Sequence, residues 1–243
     1  GWGGVENLSL IPGRVGAVPV QNIGAYGQEA GNVISSVTGV DLRSGTVREL
    51  TAHECAFAYR NSVFKGELKE RFIITSVVFR LDKVPQLVLG YGEILEKVKA
   101  KAEDKNKAKI GGENLSVQMV REVVIDIRRR KLPDPVVLGN GGSFFKNPVV
   151  PIGQADELKR QYPSMPVYPA GEERVKLSAG WMIDQCGWKG FRRGDAGVHR
   201  DHALVLVNYG NASGKEIFEL SEEIRRSVQK RFGVDLEREV IVV

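Results

Sequence analysis

Residues 116–135 read SVQMVREVVIDIRRRKLPDP, and this stretch decides how the chain is divided. Ser116 can cap a helix, because its side-chain oxygen can accept a hydrogen bond from a free N–H in the first turn. Apolar side chains then recur on one face at helical spacing: Val117, Val120, Val123, Val124 and Ile127. Proline disfavours helical geometry in the residue before it, so the helix is predicted to end at Lys131. We therefore place the boundary between two subdomains here.

The residues before this helix read as a β-rich unit. Short alternating runs are separated by turn-forming residues, and three segments are predicted to be strands: 33–42, 46–50 and 72–81. Thr51 and Glu54 have the spacing of a capping box, so a short helical turn is expected before Arg60. The charged stretch 93–108 is helix-prone, and the glycine pair at 111–112 is predicted to break it.

The residues after the boundary read as a mixture of helices and strands. Ser178 can open one helix, while Ser213 and Glu216 form a capping box for a longer helix that is predicted to stop at Gly233. The inner face of that longer helix is apolar: Ile217, Phe218, Leu220, Ile224, Val228 and Phe232. Three strands and a short helix complete this part, the strands at 143–150, 203–208 and 234–243 and the helix at 155–161. The whole chain is therefore predicted to have an α+β fold.

Composition limits the classes of function. The 243 residues carry a formal net charge of +5, but the basic residues lie in mixed-sign segments, which argues against a nucleic-acid partner and suits a small anionic substrate. No apolar run approaches the roughly 18 to 20 residues that span a bilayer, and no secretion signal opens the chain, so a cytoplasmic location without a membrane partner is expected. Cys55 and Cys186 have neither a disulfide framework nor metal-type spacing and are expected to be reduced and inert.

Two glycine-rich motifs are candidates for a binding site. Residues 11–27, IPGRVGAVPVQNIGAYG, would let backbone approach a phosphate or a cofactor ring closely, although plain turns account for such runs more often. Residues 139–148, GNGGSFFKNP, place Ser143 where its hydroxyl could point into a cleft or could simply serve a turn. His199 has no triad signature, which weakens a hydrolase interpretation, and His199 with His202 lacks a third ligand, so no metal site is expected.

Six motifs, in this order, resemble the family of UDP-N-acetylenolpyruvoylglucosamine reductases, known as MurB, of bacterial peptidoglycan synthesis. They are residues 11–27, YRNSVFK at 59–65, RKLPDP at 130–135, GNGGSFFKNP at 139–148, AGWMIDQCGWKG at 179–190 and EREV at 237–240. LGYGEI, around Tyr91, resembles the loop of the family's type I members. The resemblance runs through nearly the whole chain.

The resemblance implies an NADPH-dependent flavin oxidoreductase. In this family NADPH reduces bound FAD, and hydride then passes to the enolpyruvyl double bond to give UDP-N-acetylmuramate, a step of cell wall biogenesis on which cell shape and division depend. Ser143 matches the proton donor, Arg60 the residue that faces the developing negative charge, and Glu239 the carboxylate that assists. Without the resemblance, Arg60 reads as an ordinary surface arginine and Glu239 as the solvated face of a strand end.

The resemblance also implies where substrate and flavin bind. Tyr91, Lys131, Asn147 and His202 match positions beside the UDP-sugar, with His202 standing where relatives carry glutamine. Ile241 stands where a basic residue can occur. From the residues alone, the first three read as a loop aromatic, a helix-end lysine and a turn asparagine. Seven residues match the flavin-contacting segments: Pro12, Gly13, Gly16, Gln21, Asn22, Gly24 and Ala25.

The match begins well inside the family's flavin-binding region, so the chain is expected to be truncated at its N-terminus. Residues 1–112 are predicted to be a partial FAD-binding subdomain that includes the Tyr91 loop, 113–132 a connecting helix, 133–236 the substrate-binding subdomain and 237–243 a return strand. Two functions stay open. One is the reductase, expected to act as a monomer on UDP-N-acetylglucosamine enolpyruvate, and the other is a non-catalytic UDP-sugar-binding fragment unable to hold FAD.

Overall fold

The computed structural model of this chain describes residues 1–105 and 115–242. It divides the chain into two compact units, Gly1–Arg128 and Arg129–Val243, and each unit has its own buried core. The glycine break expected at 111–112 lies outside the described residues, as do the last residues of the helix-prone stretch and Val243, with which the predicted return strand ends.

The first unit is built on a three-stranded antiparallel sheet. Its central strand is β3 (Ile34–Asp41), with β4 (Val47–Thr51) on one side and β5 (Phe72–Phe79) on the other. A separate short hairpin precedes the sheet in the chain: β1 (Gly24–Ala25) and β2 (Gln28–Glu29). Val37 in the middle of β3 is fully buried and belongs to the apolar core of this unit. The sheet confirms the three strands predicted for this part of the chain.

Two helices follow in the first unit, and they share an apolar cluster. They are α1 (Ile94–Lys105) and α2 (Val117–Lys131), whose last turn belongs to the second unit. The Ser116 hydroxyl oxygen accepts a hydrogen bond from the Met119 N–H at 3.3 Å, which confirms the predicted cap. The helix also ends before the proline pair, as predicted. The buried face differs at one position, because Val117 is only half-buried while Met119 is buried.

The capping box predicted at Thr51 and Glu54 is present. The Glu54 N–H donates to the Thr51 hydroxyl at 3.3 Å, and the Thr51 N–H donates to the Glu54 carboxylate at 2.8 Å. Residues 52–56 form a series of turns rather than a helix, with one helix-like bond from the Cys55 N–H to the Thr51 carbonyl at 3.0 Å. Burial raises the pKa of the Cys55 thiol to about 11, so this thiol stays protonated at neutral pH.

The second unit combines two antiparallel sheets with three helices. The first sheet contains β6 (Gly139–Ser143), β10 (Arg192–Arg193), β11 (Ala196–Val198) and β12 (Val205–Asn208), in the order β10-β11-β12-β6. The second contains β7 (Val149–Pro151), β8 (Val167–Pro169) and β9 (Arg174–Leu177), in the order β7-β9-β8. The helices are α3 (Ile152–Gln161), α4 (Ala179–Gln185) and α5 (Gly214–Phe232). The α+β prediction is confirmed.

The helix ends of the second unit follow their predicted caps. Ser178 accepts from the Trp181 N–H at the start of α4, and Ser213 and Glu216 form the reciprocal capping box of α5. Gly233 ends α5 in the left-handed conformation with φ +66°, which glycine adopts without a steric penalty. Most of the predicted inner face of α5 is buried, although Ile217 and Phe218 are half-buried.

Two strand predictions in the second unit need correction. The predicted strand 143–150 is wrong, because Ser143 ends β6 and β7 begins only at Val149, in the other sheet. Instead of the predicted return strand, residues 237–242 make one isolated bridge, between Arg238 and Phe145. The strand predicted at 203–208 is confirmed from Val205 onward.

Candidate functional site

Ser143 is the last residue of the glycine-rich strand β6, whose backbone is fixed by neighbouring side chains. Gly142 has φ +75°, a conformation that few other residues adopt. The side chain of Asn140 accepts from the Gly142 N–H at 2.9 Å and donates to the Leu138 carbonyl at 2.7 Å. Ser143 pairs with Val205 of β12 and is half-buried. Its hydroxyl has no hydrogen-bond partner among the described residues, so it does not have the turn-stabilising role that the sequence left open.

The segment that carries Glu239 pairs with the residues just after Ser143. The Glu239 N–H donates to the Phe144 carbonyl at 2.8 Å, and the Lys146 N–H donates to the Glu237 carbonyl at 2.9 Å. Phe144 therefore lies opposite Glu239 on the paired segment. The fold thus brings the backbones of two predicted catalytic residues into adjacent segments of one unit.

Arg60 is held in a strained turn of the first unit. The Asn61 N–H donates to the Ala58 carbonyl at 3.0 Å, and Arg60 between them has φ +52°, a left-handed conformation that costs a non-glycine residue about 1 to 3 kcal/mol. The Arg60 guanidinium donates to the Gly24 carbonyl at 2.5 Å and lies 5.2 Å from the Tyr59 ring centre. The Gly24 carbonyl accepts this hydrogen bond but carries no formal negative charge.

The predicted flavin-contacting segment 12–25 lies beside this turn. Buried Asn22 joins the two, since its amide nitrogen donates to Glu29 at 2.9 Å and to the Ala58 carbonyl at 3.1 Å, while its oxygen accepts from the Gly31 N–H at 2.7 Å. The side chain of Asn22 therefore maintains the shape of the segment. Gly24 lies so close to the turn that a Cβ there would meet the Arg60 guanidinium at 2.7 Å.

Tyr91 contacts a second tyrosine that the sequence analysis missed. The ring of Tyr91 lies edge-on to that of Tyr26, with 5.9 Å between the ring centres, and Tyr91 is 43% exposed. The side chain of Arg128 makes a hydrogen bond with Tyr26. Burial lowers the pKa of the Arg128 guanidinium. The Nε of Arg128 is buried without a partner among the described residues. Tyr26 lies in the GAYG run, and its positive φ of +51° could not be read from the sequence.

Lys131 and His202 lie near each other in the second unit. Burial first, and the charges of His199 and Lys131 next, lower the pKa of His202, so its imidazole is neutral at pH 7. The Nδ1 of His202 is buried and has no partner among the described residues. The side-chain oxygen of Asn147 accepts a hydrogen bond from the Ala179 N–H, at the start of α4, at 3.0 Å.

A separate groove of about 450 Å³ opens on the second unit, between β6, β12, α5 and the chain's last described residues. Its lining is mainly apolar and includes Phe144, Leu206, Ile217, Phe218, Val240 and Ile241. Gly141 and Phe144, which lie on either side of Ser143 in the chain, also line this groove. Ile241, which stands where a basic residue can occur in the family, is 67% exposed.

The predicted site residues thus form two groups. Arg60, Tyr91 and the segment 12–25 lie in the first unit, and the second unit holds Lys131, Ser143, Asn147, His202 and Glu239. That the two groups meet around one substrate stays a prediction. No helix among residues 1–105 and 115–242 is long and apolar enough to cross a membrane. In the same residues, no group of three His, Cys, Asp or Glu side chains could hold a metal ion.

Comparisons with known proteins cover the chain to different extents. The family model of the UDP-N-acetylenolpyruvoylglucosamine reductase C-terminal domain matches residues 134–243. The UDP-N-acetylenolpyruvoylglucosamine reductase of Chromobacterium violaceum is 49% identical over 244 residues, which are 100% of this chain and 69% of the relative, and that of Flavobacterium johnsoniae is 45% identical over 246 residues with the same coverage. The crystal structure of UDP-N-acetylenolpyruvylglucosamine reductase (MurB) from Thermus caldophilus superposes with a TM-score of 0.63 at 25% identity, covering 100% of this chain and 65% of that one. The chain therefore spans about two thirds of the length of these proteins.

Proposed function

The chain belongs to the family of UDP-N-acetylenolpyruvoylglucosamine reductases, and on this basis we propose that it acts in the reduction of UDP-N-acetylglucosamine enolpyruvate to UDP-N-acetylmuramate, with NADPH as reductant and FAD as the hydride carrier. The product serves peptidoglycan precursor synthesis. The observation that carries the proposal is the pairing of the Glu239 segment with the residues that follow Ser143, because it joins two of the matched motifs at one place in the fold.

The chemistry needs a proton donor and a stabilised anion. FAD, when bound and reduced, supplies the hydride that adds to one vinyl carbon of the substrate. Negative charge then develops on the neighbouring carbon and its carboxylate, and that carbon must receive a proton. In this proposal the hydroxyl of Ser143 gives the proton, and its lack of a partner among the described residues supports this role. Glu239 assists from the paired segment.

Arg60 stabilises the developing charge in this proposal. A guanidinium is planar and always protonated, so it can face a carboxylate or enolate with two parallel donors. The strained turn supports the role, because a residue held at φ +52° and bonded to the Gly24 carbonyl is positioned before the substrate arrives. The family match, rather than a measured distance to Ser143, assigns Arg60 to the same reaction.

Substrate recognition in this proposal is shared among four side chains. Lys131 supplies a positive charge for the diphosphate, and Asn147 supplies an amide beside the sugar nucleotide while its oxygen accepts from the Ala179 N–H at the start of α4. His202 offers a neutral imidazole whose buried Nδ1 lacks a partner among the described residues. Tyr91 closes over the substrate from an exposed position, and Tyr26 supports its ring.

The segment 12–25 fits a flavin contact. Gly13 has φ +118° and nothing within 4 Å of the position of a Cβ, and residues 12–14 are exposed, so a cofactor can approach their backbone. Gly16 is also open, with its nearest neighbour, the Ile74 carbonyl, at 3.7 Å. Backbone groups of the segment, with Gln21 and Ala25, would hold the cofactor in this proposal, whereas the Asn22 side chain maintains the segment.

Two titrations of the chain test the proposal. The first adds FAD and follows the shift of the flavin absorption bands, and the second adds UDP-N-acetylglucosamine enolpyruvate and follows heat. Binding of both, with NADPH consumption dependent on the UDP-sugar, is the expected result. Binding of the UDP-sugar without FAD would support the non-catalytic alternative, which is considered because the chain covers 69% of its relative's length. A chain that binds neither would exclude both functions.

A further inference from the structure

Lys146 is a buried cation close to the predicted proton donor. Its side chain is only 10% exposed, and its Nζ contacts the carboxylate of Glu237, whose own side chain is 71% exposed. Lys146 comes three residues after Ser143, and Glu237 comes two residues before Glu239. The ion pair therefore links the two segments that carry the predicted acids.

The same two residues are also joined through their backbones. The Lys146 N–H donates to the Glu237 carbonyl at 2.9 Å, so one residue pair is held by a ladder bond and by an ion pair at once. A slip of one residue would turn the Glu237 side chain to the other side of its segment, where it could not reach the ammonium. A buried ammonium without a partner is strongly unfavourable, so the pair opposes such a slip.

A second set of contacts ties the neighbouring residue to helix α5. The guanidinium of Arg238 contacts the carboxylate of Glu222 and lies 4.5 Å from the centre of the Phe218 ring. Glu222 also accepts from Arg225, which in turn contacts Asp235 at 3.0 Å. The segment 235–238 is thus anchored to the helix through these contacts and to Lys146 through Glu237, and the residue that follows this anchored stretch is Glu239.

We propose that Lys146 and Glu237 are a positioning pair that fixes the register of Glu239 against the segment that begins at Ser143. The pair touches neither substrate nor cofactor in this proposal and acts through the bond from the Glu239 N–H to the Phe144 carbonyl. The placement of Glu239 follows from the contacts alone. Its importance for turnover rests on the proposed function.

Amide hydrogen exchange of the full chain measures the placement directly. In Glu237→Gln the amides of Glu239 and Lys146 should lose about tenfold or more of their protection, because local opening of the segment becomes easier. The amide of Val198, which donates within the same unit at 2.8 Å, should keep its protection. Glu219→Gln is the matched control, since Glu219 pairs with exposed Lys215 on α5 and not with the Glu239 segment. Unchanged protection of Glu239 in Glu237→Gln would overturn the proposal.

Two further variants separate a positioning pair from general stability. Lys146→Met combined with Glu237→Gln should lose no more protection at Glu239 than Glu237→Gln alone, because one interaction is removed in both cases. Lys146→Arg keeps the positive charge, so the Glu239 amide should retain most of its wild-type protection in this variant. A uniform loss over Val198 and Glu239 alike in every variant would contradict the proposal.

A kinetic readout links the pair to the proposed function. If the wild-type chain reduces the UDP-sugar, Glu237→Gln should lower kcat about tenfold while KM changes less than about twofold, since Glu239 is needed in the transition state. A wild-type chain without activity would count against the proposed function and would leave the exchange result as the test of the positioning pair.

Discussion

The backbone N–H of Glu239 donates a hydrogen bond to the carbonyl oxygen of Phe144 at 2.8 Å. Phe144 follows Ser143 directly in the chain, so this bond places a residue from the last motif beside a residue from the central one. Neither residue can be interpreted without the other, because an isolated serine in a turn and an isolated glutamate near a strand end are both ordinary. The long-range pairing is what makes them a candidate site.

Replacement of Ser143 by alanine should separate binding from turnover. The proposed role is proton donation in the transition state, and general acids of this kind contribute about 10²- to 10⁴-fold to the rate. Ser143→Ala should therefore lower kcat by about that factor, while titration calorimetry should show UDP-sugar binding close to that of the wild type. Ser164→Ala, at an exposed position, is the matched control. Activity of Ser143→Ala within twofold of the control would remove Ser143 from the mechanism.

Local signals predicted much of the fold. The caps of α2, α4 and α5 depend on side chains within three residues of each helix start, and such contacts can be read from spacing alone. The error at 143–150 has a different origin. Pro148 has no N–H to give to a ladder, and the Asn147 side chain caps α4, so the run divides between two sheets.

The candidate site was predicted in part, and the missing part depends on tertiary contacts. The motifs named Ser143, Arg60 and Glu239, but nothing in the sequence showed that Glu239 pairs with Phe144 or that Arg60 adopts a left-handed conformation. Tyr26 was missed because its contact with Tyr91 joins two distant loops. Such contacts follow from chain pairing, which local propensity does not determine.

The Asp41 carboxylate should control acid stability of the first unit. It accepts from the Arg43 N–H at 2.9 Å and from the side chains of Arg71 and Arg48 at 3.2 Å each. These contacts, the Arg43 N–H first, hold the pKa of Asp41 below its ordinary value of 3.8 although its burial acts the other way. A depressed pKa means that the stabilisation is complete above about pH 4 and is lost as the pH falls through the folded pKa.

The measurement for Asp41 is thermal unfolding followed by circular dichroism at pH 7, 4 and 3. Asp41→Asn should melt below the wild type at pH 7, and the difference should shrink as the pH falls below 4 and the wild-type carboxyl begins to take up its proton. Asp156→Asn, on the exposed side of α3, is the control and should follow the wild type. A difference between Asp41→Asn and wild type that stays constant from pH 7 to 3 would contradict the assignment.

His202 should make UDP-sugar binding depend on pH. Burial, with the charges of His199 and Lys131, lowers its pKa below the ordinary 6.5, so the imidazole is neutral at pH 7. Protonation at lower pH adds a positive charge beside the proposed diphosphate position, and the affinity should therefore rise as the pH falls through that pKa. His202→Gln should bind within about threefold of the wild type at pH 7.5 and should lack the acid-side increase.

Titration calorimetry between pH 5 and 8 checks this expectation, and His53→Gln is the control because His53 is exposed in the first unit. The control should keep the increase at low pH. If the affinity of His202→Gln for the UDP-sugar still increases at low pH, protonation of another group causes the pH dependence.

Gly24→Ala should disturb Arg60 without removing any functional group. A Cβ at position 24 would meet the Arg60 guanidinium at 2.7 Å and the Gln28 carbonyl at 3.0 Å, and the flexible arginine side chain is the neighbour that can yield. The guanidinium would then leave the Gly24 carbonyl, and the preorganised charge would be lost. Since oxyanion-type donors contribute about 10²- to 10³-fold, kcat should fall by at least tenfold, with a smaller change in the melting temperature than Asp41→Asn produces.

Gly153→Ala, near the start of α3 with nothing within 4 Å of its Cβ position, is the matched control and should keep full activity. If Gly24→Ala and Gly153→Ala turn over substrate equally well, the contact between Arg60 and Gly24 does not prepare the arginine for catalysis.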